Sequence, residues 1–309
     1  MRRFATIDLG TNTALLLVAE RREGIWQPVF ERAEITRLGQ GVDGTKRLLP
    51  EAMERSARML GEYARQAREL GVADEDMAAV STSAARDASN SGDLIALVRK
   101  YGNLSLEVIP GQEEARLTWI GATADLAAAP EQSLCVFDIG GGSSELIFGT
   151  KRGLEFRRSF DVGSVRMTER FLHSDPPSAD EKAAVFACLR NLFAEAPRPE
   201  TPPLFVGVAG TVTTLFTLIH GIEPYDAQRV HGARMELSEL SGLVDRLFQL
   251  SVSDRKQLKG IEPKRADVIA AGGAVLQCAM EYLGVQHLTV SDRGLRWGLL
   301  EDRFGCRGE

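Results

Sequence analysis

At 309 residues the chain exceeds the usual size of one domain, and two domains are expected. Its 37 lysines and arginines against 43 aspartates and glutamates leave a net charge of −6; this excludes a protein that coats nucleic acid, but not one that takes a polyanion through a local basic patch or a bound cation. Apolar residues make up 44% of the chain, which excludes disorder, and no run of about 18 apolar residues offers a membrane span.

The N-terminus, Met1-Arg2-Arg3-Phe4-Ala5-Thr6-Ile7-Asp8, reaches an acid where an export signal would need an apolar stretch, so a cytoplasmic protein is expected. Cys135, Cys188, Cys278 and Cys306 are far apart in the chain and read as free thiols in a reducing compartment. Residues 4–8 form a short strand, the turn Gly10-Thr11-Asn12-Thr13 follows, and Leu15 to Ala19 is the next strand. Gly24 reverses the chain into an alternating strand from Val29 to Ile35, completing a meander of hairpins. Pro50 opens a helix in which Met53, Ala57, Leu60, Ala64, Ala67 and Leu70 recur at helical spacing, and Gly71 stops it. Val80-Ser81-Thr82 and Leu104 to Ile109 read as strands, and a helix begins near Gln112.

The segment Ala127-Ala128-Ala129-Pro130 is the linker candidate, dividing residues 1–125 from 126–309, with the last helix, about 296–309, packing back on the first domain. Past the linker the opening pattern returns: a strand from Leu134 to Phe137 ending at Asp138, the turn Gly140-Gly141-Gly142-Ser143-Ser144, a strand from Glu145 to Phe148, reversal at Gly153, and a strand from Leu154 to Phe160. Ser178 with Glu181 is a capping box before an apolar helix. Leu204 to Val208 is a strand, and Gly210 leads into a helix from Thr211 to Ile219.

Ile7-Asp8-Leu9-Gly10-Thr11-Asn12-Thr13 matches Phe137-Asp138-Ile139-Gly140-Gly141-Gly142-Ser143, 130 residues on, and Val80-Ser81-Thr82-Ser83 matches Val208-Ala209-Gly210-Thr211, 128 residues on. Two pairs at nearly one offset imply a duplicated α/β unit. Each D-x-G turn puts a carboxylate beside uncovered backbone N–H groups, a combination that binds phosphate oxygens and a hard cation such as Mg²⁺. Two such turns facing one another would clamp a phosphate chain, with cation between. Glu113 and Glu114 open a helix. One is accounted for by the helix dipole, and the other is free to act as a general base, its pKa raised by nearby anions. Arg86 suits phosphate oxygens or pairs with Asp87 at the surface. Lys151-Arg152 and Arg157-Arg158 read first as a solvated face and second as a polyanion track. The four histidines lack metal-ligand spacing, and neither a P-loop nor a G-x-S-x-G elbow occurs.

These motifs resemble the Ppx/GppA family, exopolyphosphatases and guanosine-pentaphosphate phosphatases of the actin-like ATPase superfamily. The carrying segments are the two D-x-G turns just given, Thr82-Ser83-Ala84-Ala85-Arg86-Asp87-Ala88, Gly111-Gln112-Glu113-Glu114-Ala115-Arg116, Gly207-Val208-Ala209-Gly210-Thr211-Val212-Thr213-Thr214, Arg229-Val230-His231-Gly232 and Arg265-Ala266-Asp267-Val268-Ile269-Ala270-Ala271-Gly272. The resemblance implies two ribonuclease H-like domains with an active cleft between them. It places the base on Glu114, and Mg²⁺ and the attacking water near Asp138 and Glu145, with Asp8 a further metal carboxylate. It places phosphate cradles at Asn12, Thr13, Arg86, Gly140, Gly141, Gly142, Ser143, Gly210 and Thr211. Pro110 stands where the family often has Ser, removing a hydroxyl, while Thr13 and Ser144 exchange one hydroxyl for another. The resemblance is to the short two-domain form, so the helical domain that helps longer members hold long polyphosphate is not expected.

The expected activity is Mg²⁺-dependent hydrolysis of the terminal phosphoanhydride of inorganic polyphosphate by a Glu-activated water, with domain closure on binding. Guanosine pentaphosphate is the alternative substrate. A small-molecule kinase and an alarmone-binding sensor are the competing classes. No DNA or membrane partner is expected, and a homodimer is compatible with the family.

Overall fold

The structure, a computed structural model, describes residues 2–307 and divides into two compact units. One runs up to Gly121 and resumes at Gly294; the other is Ala122–Arg293. In the first unit β1 (Arg3–Leu9), β2 (Thr13–Arg22) and β3 (Ile25–Ile35) form an antiparallel meander. β4 (Met77–Ser81) and β5 (Leu106–Val108) continue the sheet in parallel beyond β1, giving the order β3-β2-β1-β4-β5. In the second unit β6 (Leu134–Ile139), β7 (Ser144–Thr150) and β8 (Gly153–Phe160) repeat the meander. β9 (Leu204–Val208) lies parallel to β6. β10 (Arg234–Glu236) pairs antiparallel with β11 (His287–Val290), which runs parallel to β9. The order is β10-β11-β9-β6-β7-β8.

Without β10 the two sheets have the same strand order and directions. The repeat holds to the residue: Asp8 faces Val80 across β1 and β4, and Asp138 faces Val208 across β6 and β9. The α/β class with two ribonuclease H-like sheets is therefore the observed fold.

Local chemistry explains the first long helix. Pro50 is its first residue, and the helix runs to Glu69. Gly71, at φ 85°, lets the chain leave through a left-handed step. The Gly71 and Val72 N–H groups then bond to the carbonyls of Arg68 and Ala67, which satisfies the last turn. Its apolar stripe of Met53, Ala57, Leu60 and Ala67 packs on Ile7, Leu9, Leu16 and Val18. The helix Ser91–Gly102, which no sequence signal had marked, lies against it with Gly102 beside Gly61, close enough that a Cβ on Gly102 would come within 3.2 Å of the Gly61 Cα.

Successive strand residues point to opposite faces, so β2 presents Leu16 and Val18 to that core and Leu17 and Ala19 to the other face. There Phe4, Leu17 and Ala19 meet Trp297, Leu300 and Phe304 of the helix Leu295–Phe304. The two units part at Gly121 and Ala122, and the chain from Gly294 onward groups with the first unit. Gly308 and Glu309 of the expected terminal helix lie outside the described residues, as does Met1. The helix crosses Gly111–Thr123 at Gly298, where a Cβ would sit 1.7 Å from the Leu117 carbonyl oxygen. No helix among the described residues is long and apolar enough to cross a membrane.

Candidate active site

In each unit the segments singled out by sequence follow the C-terminal ends of parallel strands, the usual location of ligand sites in open α/β sheets. In the first unit these are the turn after β1, the Ser83–Asp87 helix after β4 and the Gly111–Thr123 helix after β5. In the second they are the triple-glycine turn after β6 and the Ala209–His220 helix after β9.

The first turn is held tightly. The Gly10 N–H donates to the Thr13 carbonyl at 2.9 Å, the Ser81 hydroxyl donates to the Leu9 carbonyl at 2.8 Å, and the Thr11 and Ser83 hydroxyls share a hydrogen bond of 3.0 Å. Asn12 is 7% exposed, and its Nδ2 is a buried donor with no hydrogen-bond acceptor among the described residues. A buried donor left so is costly unless a ligand oxygen completes it. Asp8 and Thr13 lie half-buried at the two ends of the turn.

The structure separates the two adjacent glutamates. Glu113 is clamped by Arg116 through two bonds of 2.9 and 2.7 Å, and Arg116 also reaches Asp302 at 2.7 Å. The Glu113 hydrogen bonds raise the Arg116 pKa above its ordinary value. Glu114 is buried and receives Arg86 Nη1 at 3.0 Å. The same nitrogen donates to the Ile109 carbonyl at 3.2 Å, so Arg86 spans the ends of β4 and β5. It is Glu114, not Glu113, that is brought to the Arg86 position.

In the second unit Asp138 and Glu145 sit directly opposite across β6 and β7, which puts both carboxylates on one face of the sheet. Glu145 is 1% exposed and accepts from the Ser159 hydroxyl at 2.7 Å. At the repeat positions in the first unit Asp8 faces Leu15, so the acid pair belongs to the second unit. Two neighbouring carboxylates repel, and a divalent cation relieves that repulsion; the donor set fits a hard ion that keeps most of its waters. No group of three His, Cys, Asp or Glu with metal-ligand geometry occurs among the described residues.

The Gly140 N–H donates to the Ser143 carbonyl at 3.0 Å, reproducing the Gly10–Thr13 bond of the first turn. Ser143 is buried, and the Ser144 hydroxyl is committed to the Val162 carbonyl at 2.8 Å. Gly210 opens the helix that carries Thr211. The Arg265 guanidinium packs so closely on it that a Cβ would lie 2.3 Å from Nη2. Burial lowers the Arg265 pKa. Ala209, just before, sits at φ 73°, a conformation that costs a non-glycine residue energy and marks a constrained turn.

Arg265 was visible in sequence only as part of a motif without a role; its placement beside Gly210 comes from the fold. Of the basic clusters, Lys151-Arg152 lies in the turn between β7 and β8, and Arg157-Arg158 on β8. Arg158 stacks on Phe160 and pairs with Glu195 at 2.5 Å, Arg152 pairs with Glu131, and Lys151 donates to the Thr123 carbonyl. His231 is held by Asp125 at 2.9 Å and Asp292 at 3.0 Å, and Arg293 also meets Asp125 at 2.8 Å. The two carboxylates raise the histidine to about 9, against opposing burial.

Comparison with known proteins gives a consistent picture. The chain is 36% identical over 317 aligned residues to exopolyphosphatase 2 of Mycobacterium tuberculosis, covering 97% of this chain and 98% of that one. It superposes with a TM-score of 0.81 on a Ppx/GppA enzyme of Aquifex aeolicus at 33% identity, over 97% and 99% of the two chains. A crystal structure described as an exopolyphosphatase-like protein gives a TM-score of 0.90 at 32% identity, with 99% of both chains covered. The model of the Ppx/GppA phosphatase family matches residues 17–305, and the chain belongs to that family.

Proposed function

We propose that this hydrolase of phosphoanhydride bonds removes the terminal phosphate of inorganic polyphosphate. The observation that carries the reading is the pairing of a buried Glu114 with Arg86, on the short helix whose Ser83 is hydrogen-bonded to Thr11 of the first turn, in a chain whose full-length relative is named an exopolyphosphatase. Backbone N–H groups of Gly141, Gly142 and Ser143, the Asn12 amide, and the Gly210–Thr211 helix start bind phosphate oxygens, with Thr13 at the other end of its turn. Asp138 and Glu145 would hold Mg²⁺ in the second unit, and Asp8 is the metal carboxylate of the first. When bound, the ion neutralises charge on the phosphate being transferred.

Arg86 has two partners to choose from. Without a polyanion it neutralises Glu114 at 3.0 Å. A phosphate oxygen drawn to the guanidinium competes for it, leaving the Glu114 carboxylate to orient a water and accept its proton as the oxygen–phosphorus bond forms and the anhydride oxygen leaves. The buried wall around Glu114 keeps that carboxylate fixed.

The test is phosphate release under one Mg²⁺ condition from polyphosphates of several lengths, guanosine pentaphosphate and ATP, with Glu114→Gln beside each. The expected result is turnover of polyphosphate and a loss of about 10²–10⁴-fold in the variant, the usual span for a general base. Preference for guanosine pentaphosphate would reassign the substrate while keeping the residues. Turnover of ATP alone would overturn the reading, and near wild-type activity in the variant would remove Glu114 from the mechanism.

A further inference from the structure

The triple-glycine turn is tied from behind by one short segment. The Ser164 N–H donates to the Gly140 carbonyl at 3.0 Å, and the Val165 and Arg166 N–H groups both donate to the Gly141 carbonyl, at 2.9 and 3.0 Å. The third carbonyl, that of Gly142, has no backbone donor in this set; Arg166 supplies its side-chain Nε at 2.6 Å. Arg166 is 5% exposed, so this bond comes from a buried cation. Burying an arginine is costly unless its hydrogen bonds are specific. The segment lies against the turn with no space to spare: a Cβ on Gly163 would fall 2.5 Å from the Gly141 carbonyl carbon.

The repeated turn in the first unit supplies an internal comparison. There the carbonyl of Asn12, the counterpart of Gly142, accepts from the backbone N–H groups of Thr36 and Arg37 at 2.9 and 3.0 Å, and the Thr11 carbonyl accepts from Gly39 at 2.8 Å. In each unit the turn's carbonyls are tied by the segment that follows the third strand of the meander. The first does so with backbone alone, and the second adds an arginine side chain. In a trans peptide the carbonyl and the following N–H point in opposite directions. Holding the Gly140, Gly141 and Gly142 carbonyls on one side therefore presents the N–H groups of Gly141, Gly142 and Ser143 on the other.

We propose that Arg166 is a positioning residue for the phosphoanhydride hydrolysis: it fixes the Gly142–Ser143 peptide so that the Ser143 N–H meets a phosphate oxygen, and its buried charge, acting through that peptide, strengthens the donor. Hydrogen-bonded chains polarise one another in this way, and preorganised donors are where such catalysts gain most. The inference rests on the reading that this turn binds phosphate.

The experiment is steady-state hydrolysis of tripolyphosphate with Mg²⁺, with melting curves, on the full chain as wild type, Arg166→Met, Arg166→Lys and Gly163→Ala. Arg166→Met is expected to lower kcat about 10²-fold, the span for one lost preorganised donor, with a smaller change in KM. Arg166→Lys, which keeps the cation without the planar fork, recovers part of the loss. Gly163→Ala, which keeps the arginine but displaces the Gly141 peptide, loses kcat as well. Wild-type kcat in Arg166→Met well below its melting transition overturns the proposal, however much stability is lost. Should Arg166→Met not fold, Arg166→Lys decides: reduced kcat at a preserved melting temperature supports the role, and wild-type kcat ends it. A wild type inactive on tripolyphosphate, or a fully active Glu114→Gln, counts instead against the functional reading above.

Discussion

Glu113 and Glu114 are adjacent in the chain and chemically alike, yet Arg116 clamps the first while the second is buried against Arg86. The difference is one of direction: consecutive helical residues point about 100° apart, so one faces solvent and the other the strand ends. Glu113→Gln is therefore expected to leave kcat within about twofold of wild type and to affect mainly a surface ion pair worth about 0.5 kcal/mol. A drop in kcat like that of Glu114→Gln would show that the two act together. Asp138→Asn separates metal from structure in the second unit. It keeps the shape but removes one of two facing carboxylates. The Mg²⁺ concentration for half-maximal activity is expected to rise about tenfold or more, as when a supporting carboxylate is lost from a metal site. An unchanged Mg²⁺ dependence would place the ion elsewhere.

At the scale of elements, two close packings are sensitive to single atoms. Gly298 meets the Leu117 carbonyl with no space for a methyl group. Gly298→Ala is expected to destabilise the first unit by about 3 kcal/mol, the upper part of the overpacking range, since backbone cannot swing aside as a side chain can. A melting temperature equal to wild type would mean that the helices separate freely. The loop that carries His231 behaves differently, through charge. With two carboxylates beside it, the histidine titrates at about 9 when folded and near 6.5 when unfolded. Its contribution to stability is full below about pH 6.5 and disappears as the pH rises through about 9. Melting curves across that range should therefore fall more steeply for wild type than for His231→Gln. Parallel curves would show that the imidazole charge does not contribute.

For the whole molecule, the return of the chain to its first unit is the main organising event. The segment from Gly294 supplies Trp297, Leu300 and Phe304 to the sheet face presented by Phe4, Leu17 and Ala19. Each such side chain is worth about 1.5–3 kcal/mol on burial, so together they approach the net stability of a typical domain. A chain truncated after Arg293 is expected to lose protection from hydrogen exchange in β1 and β2 while β6 and β7 keep theirs. Equal protection in both sheets would show that the helix is dispensable. The duplication explains why the second sheet need not suffer: its core is built from its own strands and helices, including the Ile269–Leu283 helix.

Much of this was local enough to read in one dimension. The meanders, the Pro50 helix and its Gly71 stop, the Ser178 capping box and the repeat at offsets of 130 and 128 residues follow from turn chemistry and apolar period, which act between near neighbours. The D-x-G turns and Glu114 were legible as candidates for the same reason. The Ser91–Gly102 helix was not, because its contact depends on Gly61 and Gly102 meeting from different helices. Nor were the second covered face of β2, the different arginine partners of Glu113 and Glu114, the Arg265 contact with Gly210, or the Arg166 tie to the Gly142 carbonyl. Each of these joins residues far apart in the chain or depends on which way a side chain points once the backbone is fixed. Sequence by itself determined where the chain turns, which stretches repeat and which residues have the chemistry for phosphate. Only the tertiary structure decided which carboxylates are buried, which are neutralised by an arginine, and which way the peptide groups of the turns face, because burial and direction are properties of the packed chain.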